Sequence, residues 1–274
     1  MFERKVHKTL ASSAFSTAEL IFHTAVRSVR SGHRNAVLAI LSSILQTLML
    51  VAIFYAVFLM LPGLRSAAIR GDFLLYIMTG IFMYMVHIKS VGAVAGADGP
   101  ASPMMQHLPM NTFVAVCGAA LGALYVQVAA MLSVLFVYHI VAGPIEIQNP
   151  AGAFLMLILA WFSGCCVGMV FLALSPWAPG ATGMLKQFYI RINMFASGKM
   201  FVANQLPTHL VAIFAWNPLY HIIDQTRGFV FVNYTPLKSE IPYPIIVSLI
   251  LLTLGFLGEF YTRRHVSASW SAGR

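Results

Sequence analysis

Long apolar runs dominate the chain, and few charged side chains interrupt them. The run at 35–61 contains no Asp, Glu, Lys or Arg. An α-helix rises about 1.5 Å per residue, so roughly 20 residues cross the ~30 Å hydrocarbon core of a bilayer. A run of this length without a polar face therefore predicts a membrane-spanning helix.

Several further segments show the same pattern, although one of them is interrupted by cations. The six predicted spans are 35–61, 73–91, 113–141, 153–174, 181–202 and 245–260. Between the last two spans, the apolar segment 206–231 is broken by Pro207, Pro218 and Gly228, which leaves pieces too short to cross. We therefore predict an all-α integral membrane protein with six transmembrane helices and re-entrant helices before the last span.

The segment before the first span, 1–34, has an amphipathic pattern. At ~100° per residue, one face collects apolar residues and another collects polar ones. The apolar set is Phe15, Ala18, Phe22, Val26 and Val29, and the polar set is Glu19, His23, Arg27, Arg30 and Arg34. This pattern predicts a helix in the membrane interface. The alternative is a cytoplasmic helix packed on its own chain.

Composition agrees with a single membrane domain covering 1–274. Only 9% of the residues are charged, and 59% are hydrophobic. The net charge of +9 comes from bases at the ends of apolar runs, without the interleaved aromatic patch that would indicate nucleic acid. Lys and Arg are concentrated in 1–34 and in the tail 261–274, so the positive-inside rule places both termini in the cytoplasm.

Three pairs of glycines stand four residues apart within apolar runs. They are Gly92 and Gly96, Gly118 and Gly122, and Gly164 and Gly168. Small residues at this spacing let two helix backbones approach closely in lipid. The pairs therefore predict tight packing between spans.

The sequence contains none of the motifs that mark a hydrolase or a phosphate-binding loop. It lacks HExxH, GxSxG and paired carboxylates within a span. The Gly198–Lys199 pair lacks the glycine five residues upstream that a phosphate-cradling loop requires. We therefore predict no catalytic residue, no metal site and no cofactor bound by this chain.

The cations of the fifth predicted span are unusual. Lys186 and Lys199 lie near its ends, where their long side chains are expected to reach the interface. Arg191 lies deeper, and it shares one helix face with Phe188 and Phe195. Such an arginine requires water, an anion or hydrogen-bond acceptors. It either faces a hydrated path or bonds the backbone carbonyls of the broken helices.

The order of these features resembles the permease subunits of type-2 ATP-binding cassette exporters. The segment 201–231, FVANQLPTHLVAIFAWNPLYHIIDQTRGFVF, resembles them most, with a proline-marked piece, an Asn-Pro-Leu motif and an Arg-Gly pair. Within that class, YIMTGIFMYM at 76–85 and NQLP at 204–207 are similar to capsular polysaccharide export permeases of Gram-negative bacteria. The resemblance covers about 15–264.

This resemblance implies a function and a set of partners. Two copies of the chain would form a channel in the bacterial inner membrane, together with two separate subunits that bind ATP and Mg²⁺. The substrate would be a lipid-linked capsular or related surface polysaccharide, and periplasmic or outer-membrane export proteins would receive it. The alternatives are a type-2 exporter of a drug or lipid, and a membrane scaffold without transport.

The resemblance also implies roles for individual residues. The substrate path, along the first and fifth spans, would include Tyr55, Phe58, Phe188, Arg191 and Phe195. Contacts with the ATPase would involve Glu19, His23, Arg27, Asp98, Met104 and His107. The periplasmic gate would include Pro207, Asn217, Pro218 and Arg227.

Overall fold

A computed structural model describes residues 10–31, 35–60, 73–99, 102 and 111–265. In these ranges the regular elements are helical, with one short 3₁₀ turn at Ala203–Gln205. The α-helices are α1 (Leu10–Ser31), α2 (Ala36–Met60), α3 (Phe73–Ala95), α4 (Thr112–Val141), α5 (Pro150–Leu174), α6 (Pro179–Ala196), α7 (Thr208–Phe214), α8 (Pro218–Val230) and α9 (Pro242–His265).

Five of the described helices are long and apolar enough to cross a membrane. They are α2, α3, α4, α5 and α9, and they coincide with the first to fourth and the sixth predicted spans to within a few residues. The all-α membrane fold is thereby confirmed. The remaining predicted span corresponds to α6, which carries Lys186 and Arg191 and is not one of the five. A sixth crossing stays a prediction.

The centre of the bundle is the close pair α3 and α5. A Cβ atom on Gly164 would collide with the carbonyl oxygen of His87, and one on Gly168 would lie 2.8 Å from Cβ of Val94. Only glycine allows this approach, so the prediction of tight packing is confirmed for this pair. The α4 helix packs on α3, α2 packs on both α3 and α4, and α9 packs on the far side of α5.

The other two glycine pairs behave differently. Gly118 and Gly122 of α4 contact α1, where Cγ2 of Thr24 would lie 2.6 Å from a Cβ on Gly118. This pair therefore packs against the amphipathic helix α1, whereas packing against another span was predicted. A Cβ on Gly92 would meet nothing within 4 Å, and Gly96 is close only to its own helix. The prediction of interhelical packing is therefore wrong for that pair.

The α1 helix packs on its own chain, but not through its apolar stripe. Its small residues Thr24, Ala25 and Ser28 face the glycines of α4. The side chains of Phe15 and Phe22 are 75% and 64% exposed. The aromatic side chains of the apolar stripe are thus available to lipid, while the adjacent face of small residues fixes the helix to the bundle.

Contacts between helix ends define two ends of the bundle. At one end, Nη2 of Arg263 near the end of α9 donates to Oγ1 of Thr112 at the start of α4, 3.5 Å away. The α1 helix lies at this end, because it packs on the first part of α4. At the opposite end, the backbone N–H of Asn149 donates to the carbonyl of Phe229 over 2.8 Å, which joins the start of α5 to α8.

The segment 206–231 is broken into two short helices, as predicted. The break is at Asn217, whose Oδ1 accepts from the backbone N–H of Leu219 at 3.0 Å. Pro218 follows as the first helical residue of α8, where its missing N–H costs no hydrogen bond. The Asn-Pro pair therefore separates α7 from α8 and starts α8 at Pro218.

Candidate functional site

One face of α3 receives the chain that follows α6. Tyr76, Gly80 and Tyr84 are spaced four residues apart and so share this face. A Cβ on Gly80 would lie 2.9 Å from Cβ of Lys199 and 3.0 Å from Nη2 of Arg227. The missing side chain at Gly80 therefore lets two cationic residues pack against α3.

Arg227 fixes the turn after α6 to α8. Its Nη1 donates to the carbonyls of Gly198 at 3.0 Å and Phe201 at 2.8 Å, and its Nη2 donates to the carbonyl of Lys199 at 2.8 Å. The side chain is 1% exposed, and its guanidinium carbon lies 4.1 Å from the centroid of the Tyr76 ring. The planar guanidinium suits several acceptors and an aromatic face at once.

The turn itself depends on Gly198. Its φ of +80° lies in the left-handed region that ends many helices and that side-chain-bearing residues rarely adopt. A Cβ at this position would also lie 3.0 Å from Cδ2 of Tyr220. Gly198 thus turns the chain out of α6 and presents its carbonyl to Arg227.

Lys199 points into the bundle and not toward water. Its Nζ lies 3.4 Å from the centroid of the Tyr84 ring and 4.9 Å from that of Phe54. Lys199 is only 3% exposed, and Nζ has no hydrogen-bond partner among the described residues. The expectation that Lys199 reaches the interface is therefore wrong, because the turn directs the ammonium between aromatic rings of α2 and α3.

Asp224 joins α8 to the chain that leads into α9. Its Oδ2 accepts from Oγ of Ser239 at 2.6 Å, and its Oδ1 accepts from the hydroxyl of Tyr234. Burial, followed by the negative charge of Asp224, raises the pKa of Tyr234. Because Asp224 and Arg227 lie one turn apart on α8, one helix anchors the segments on both of its sides.

His221 adds a second contact with the chain before α9. Its Nε2 lies 2.9 Å from the carbonyl of Ala215, and its Nδ1 accepts from the backbone N–H of Glu240 at 2.9 Å. These two partners require the neutral ring with its proton on Nε2. Burial lowers the pKa of His221, against the opposing effects of the Ala215 carbonyl, Asp224 and Glu240.

The inner face of α6 is attached to α3 and α8 through polar side chains. The hydroxyl of Tyr189 lies 2.8 Å from Nε2 of His87, whose Nδ1 lies 2.9 Å from Oγ of Ser163. Further along α6, Nδ2 of Asn217 donates to Oδ1 of Asn193 at 2.9 Å. The predicted gate residue Asn217 therefore links α6 to the start of α8.

The outer face of α6 carries three of the predicted substrate-path residues. Phe188 and Phe195 are 62% and 64% exposed, and Arg191 between them is exposed as well. The expected common face is confirmed. Tyr55 is half-buried on α2 against Phe73 and does not join this face, and the side chain of Phe58 lies outside the described residues.

The predicted gate residues lie at the ends of the short helices, and no hydrogen bond between described residues joins one of them to another. Asn217 and Pro218 begin α8, Arg227 lies near its end, and the exposed Pro207 precedes α7. Of this set, Arg227 has the structural role described above. It bonds the backbone carbonyls of the chain between α6 and α7, which is the role considered for Arg191.

The predicted ATPase contacts that the structure describes, Glu19, His23, Arg27 and Asp98, lie at the end of the bundle that holds α1. On α1, Nε2 of His23 lies 3.9 Å from Oε1 of Glu19, and Arg27 is exposed on the next turn. Asp98 follows the end of α3 and is exposed. Met104 and His107 lie outside the described residues.

Sequence reasoning missed the cluster around α3. Neither Tyr76 and Tyr84 nor Lys199 and Asp224 were expected to take part in a polar site. The four-residue spacing of Tyr76, Gly80 and Tyr84, inside one of the stretches that carry the resemblance, was the available signal. Within the described ranges, no group of three His, Cys, Asp and Glu side chains is placed to hold a metal ion.

Known proteins support the resemblance. No family model matches the chain. Two polysialic acid transport proteins of Escherichia coli, both named KpsM, are similar to it, with 22% and 23% identity over 200 residues. The match covers 70% of this chain and 74% of each relative. The resemblance to capsular polysaccharide export permeases is thereby confirmed.

Proposed function

We propose that this homologue of polysialic acid transport proteins is the membrane-spanning permease subunit of an ATP-driven exporter of surface polysaccharide. The observation that carries the proposal is the contact between the two stretches with the resemblance, 76–85 and 201–231. Tyr76, Gly80 and Tyr84 from the first stretch pack against Arg227 and its bound turn. The shared sequence features therefore belong to one structural unit, and the similarity to KpsM supports assigning transport to it.

The translocation path runs between two copies of the chain along α6 and α2. The exposed face of α6 offers aromatic rings at Phe188 and Phe195, which stack on the apolar faces of sugars, with the cation Arg191 between them. An arginine in this position is stabilised by water and by anionic groups on a passing polymer. A polymer of acidic sugars suits this face, as does a lipid-linked substrate whose linker is anionic.

Energy comes from separate subunits that bind ATP and Mg²⁺. The sequence lacks a phosphate-binding loop. Helix α1, with Glu19, His23 and Arg27, packs on the first part of α4, at the end of the bundle where α3 leads to Asp98. These exposed polar positions share one end of the bundle, so a single ATPase surface can touch both. The segment Asp98 to Met110 and the helix face from Glu19 to Arg30 are the proposed coupling contacts.

Both termini lie in the cytoplasm of a multi-pass inner-membrane protein. Arg27 and Arg30 on α1 and Arg263 and Arg264 on α9 are at one end of the bundle, as the positive-inside rule requires. With this orientation α7 and α8 lie toward the periplasm, where we place them as re-entrant helices at the outer mouth. A reporter enzyme that works only in the periplasm is fused after Arg274, and activity of this fusion would refute the orientation.

Co-purification tests the proposed assembly. The chain, carrying an affinity tag, is co-expressed with a candidate ATP-binding cassette subunit from the same genome, and the mass of the complex is determined by native mass spectrometry. We expect two copies of each subunit, and cysteines placed at Glu19 and Asp98 should crosslink to the ATPase. A chain that purifies alone and never crosslinks would contradict the proposal, and a stable complex that exports a drug would favour the alternative exporter class.

A further inference from the structure

A polar pocket lies within the membrane bundle, between α1, α2, α3 and α4. Its volume is about 230 Å³. Its polar side chains are Ser28, Ser42, Ser43, Gln46, Lys89 and Gln127. Polar groups are rare in these helices, and polar groups at membrane depth are costly unless they bind something. The pocket therefore requires an explanation beyond packing.

Lys89 supplies a positive charge that the surrounding helices do not neutralise. Its Nζ donates to Oε1 of Gln46 at 2.6 Å, which is a neutral acceptor. Helices α2, α3 and α4 contain no Asp or Glu. The one carboxylate of α1, Glu19, lies 3.9 Å from Nε2 of His23 and does not line the pocket, and no other carboxylate lines its described part. An ammonium has three N–H donors, so two remain for another acceptor. An anion would supply both the opposite charge and the acceptors for these donors.

The serine and glutamine side chains deeper in the pocket are already paired. Nε2 of Gln127 donates to Oγ of Ser43 at 2.8 Å, and Oγ of Ser42 donates to the carbonyl of Ala39 at 2.9 Å. These bonds hold the polar wall in place without using the charge of Lys89. The charge without an opposite partner is therefore the Lys89 ammonium, and a ligand that binds it must reach the part of the pocket beside Lys89.

An apolar groove adjoins this pocket. It has a volume of about 720 Å³ and runs between α1 and α4. The apolar lining includes Ile21, Phe22 and Val26 of α1 and Leu121 and Tyr125 of α4, and the one charged side chain in the lining is Arg30 of α1. Val29 and Gly122 line both the groove and the polar pocket, so the two spaces are direct neighbours at the end of α1.

We propose that the pocket and the groove together bind one anionic phospholipid of the membrane, with its phosphate on Lys89 and an acyl chain along α1. Lys89 lies six residues before the end of α3, which is about 9 Å along the helix. A headgroup bound at Lys89 lies deeper in the membrane than the ends of the helices, and its negative charge there is next to the Lys89 ammonium. Neither a polar ligand nor an uncharged lipid matches both spaces.

Lipid retention by the purified protein tests this inference. The protein is exchanged into mixed micelles with phosphatidylglycerol or phosphatidylcholine of identical acyl chains, and bound lipid is counted by native mass spectrometry. We expect phosphatidylglycerol to be retained roughly tenfold more strongly, the equivalent of one ion pair in a partly buried site. Lys89→Gln should abolish this preference. Lys186→Gln, which removes a cation from α6 outside the pocket, should leave the preference unchanged.

A second variant keeps the test decisive if Lys89→Gln folds poorly. Gln46→Glu places a carboxylate on the Lys89 ammonium without changing the shape of the exposed Gln46 side chain. It should exclude phosphatidylglycerol as Lys89→Gln does, while the melting temperature is kept. Ala18→Trp, which fills the groove from the exposed side of α1, should weaken retention of both lipids.

Four results would overturn the inference. Equal retention of the two lipids by the wild-type protein would show that the negative charge of the lipid does not contribute to binding. An unchanged preference for phosphatidylglycerol in Gln46→Glu would show that this lipid does not bind at Lys89. Loss of the preference in Lys186→Gln as large as in Lys89→Gln would show the same. Competition by free glycerol phosphate at the concentration of the lipid would show a site for soluble phosphate, independent of the groove.

Discussion

The guanidinium carbon of Arg227 lies 4.1 Å from the centroid of the Tyr76 ring. Tyr76 belongs to α3 in the centre of the bundle, and Arg227 belongs to α8, the second of the two short helices before the last span. The same arginine binds three carbonyls of the turn that follows α6. One side chain of α8 therefore joins the turn after α6, the helix that bears the proposed substrate path, to α3.

Gly80→Ala should loosen this unit. The added methyl group would lie 2.9 Å from Cβ of Lys199 and 3.0 Å from the backbone Cα of the same residue, so the turn must move. Overpacking of this kind costs about 1–3 kcal/mol. The matched control is Gly92→Ala in the same helix, which meets nothing within 4 Å and should be neutral or stabilising by up to about 1 kcal/mol.

Thermal unfolding of the purified protein in detergent measures both glycine variants. We expect a lower melting temperature for Gly80→Ala and an unchanged or higher one for Gly92→Ala. Equal melting temperatures for the two variants would mean that the turn is not packed against Gly80.

Arg227→Lys should destabilise the protein although the charge is kept. A lysine ammonium is a point donor and cannot reach the carbonyls of Gly198, Lys199 and Phe201 in the geometry of a planar guanidinium. Loss of even one charged hydrogen bond in a buried site costs about 1.5–3 kcal/mol. Arg264→Lys in the exposed last turn of α9 is the control and should have no effect. Chemical unfolding that shows the same midpoint for both variants would contradict the anchoring role.

His221 should make the stability depend on pH. Its bonds to Ala215 and Glu240 require a neutral ring, and its folded-state pKa is lowered below 6.5, mainly by burial. Below pH 6.5 the unfolded chain binds the proton more readily than the folded one, so stability falls as the pH drops and is fully present above that value. His221→Gln should reduce this slope between pH 7.5 and 5, whereas His265→Gln on the exposed end of α9 should not. A slope unaffected by His221→Gln would disprove the assignment.

The helices were predictable because apolar runs of span length leave few other structures in a membrane. The break at Asn217 and Pro218 was predictable for a similar reason, since capping and proline geometry act locally. The cluster around α3 was not, because periodicity shows which residues share a face and not which face meets which segment. A role considered for Arg191, bonding the carbonyls of the broken helices, belongs to Arg227 instead. Lys199 was misjudged because its turn directs it inward, which only tertiary structure determines.

Arg191 should matter for transport and not for folding. It is exposed on the same face of α6 as Phe188 and Phe195, so its removal leaves the bundle contacts intact. In the proposed path, Arg191→Lys should keep much of the export and Arg191→Ala should abolish it, at equal protein levels in the membrane. Quantitative blotting beside an export assay measures both. Loss of folded protein in Arg191→Ala would favour a structural role, and full export would remove Arg191 from the path.

Export by a strain that lacks the chain tests the central claim most directly. Surface polysaccharide and intracellular polysaccharide are quantified in the deletion strain, in the strain complemented with the chain, and in a complemented strain in which the ATP-binding subunit that co-purifies with the chain is inactivated. A permease of the proposed kind predicts that polymer accumulates inside the deletion strain and returns to the surface only when both the chain and an active ATPase are present. Normal surface polysaccharide in the deletion strain, or restoration without ATPase activity, would contradict the proposed function.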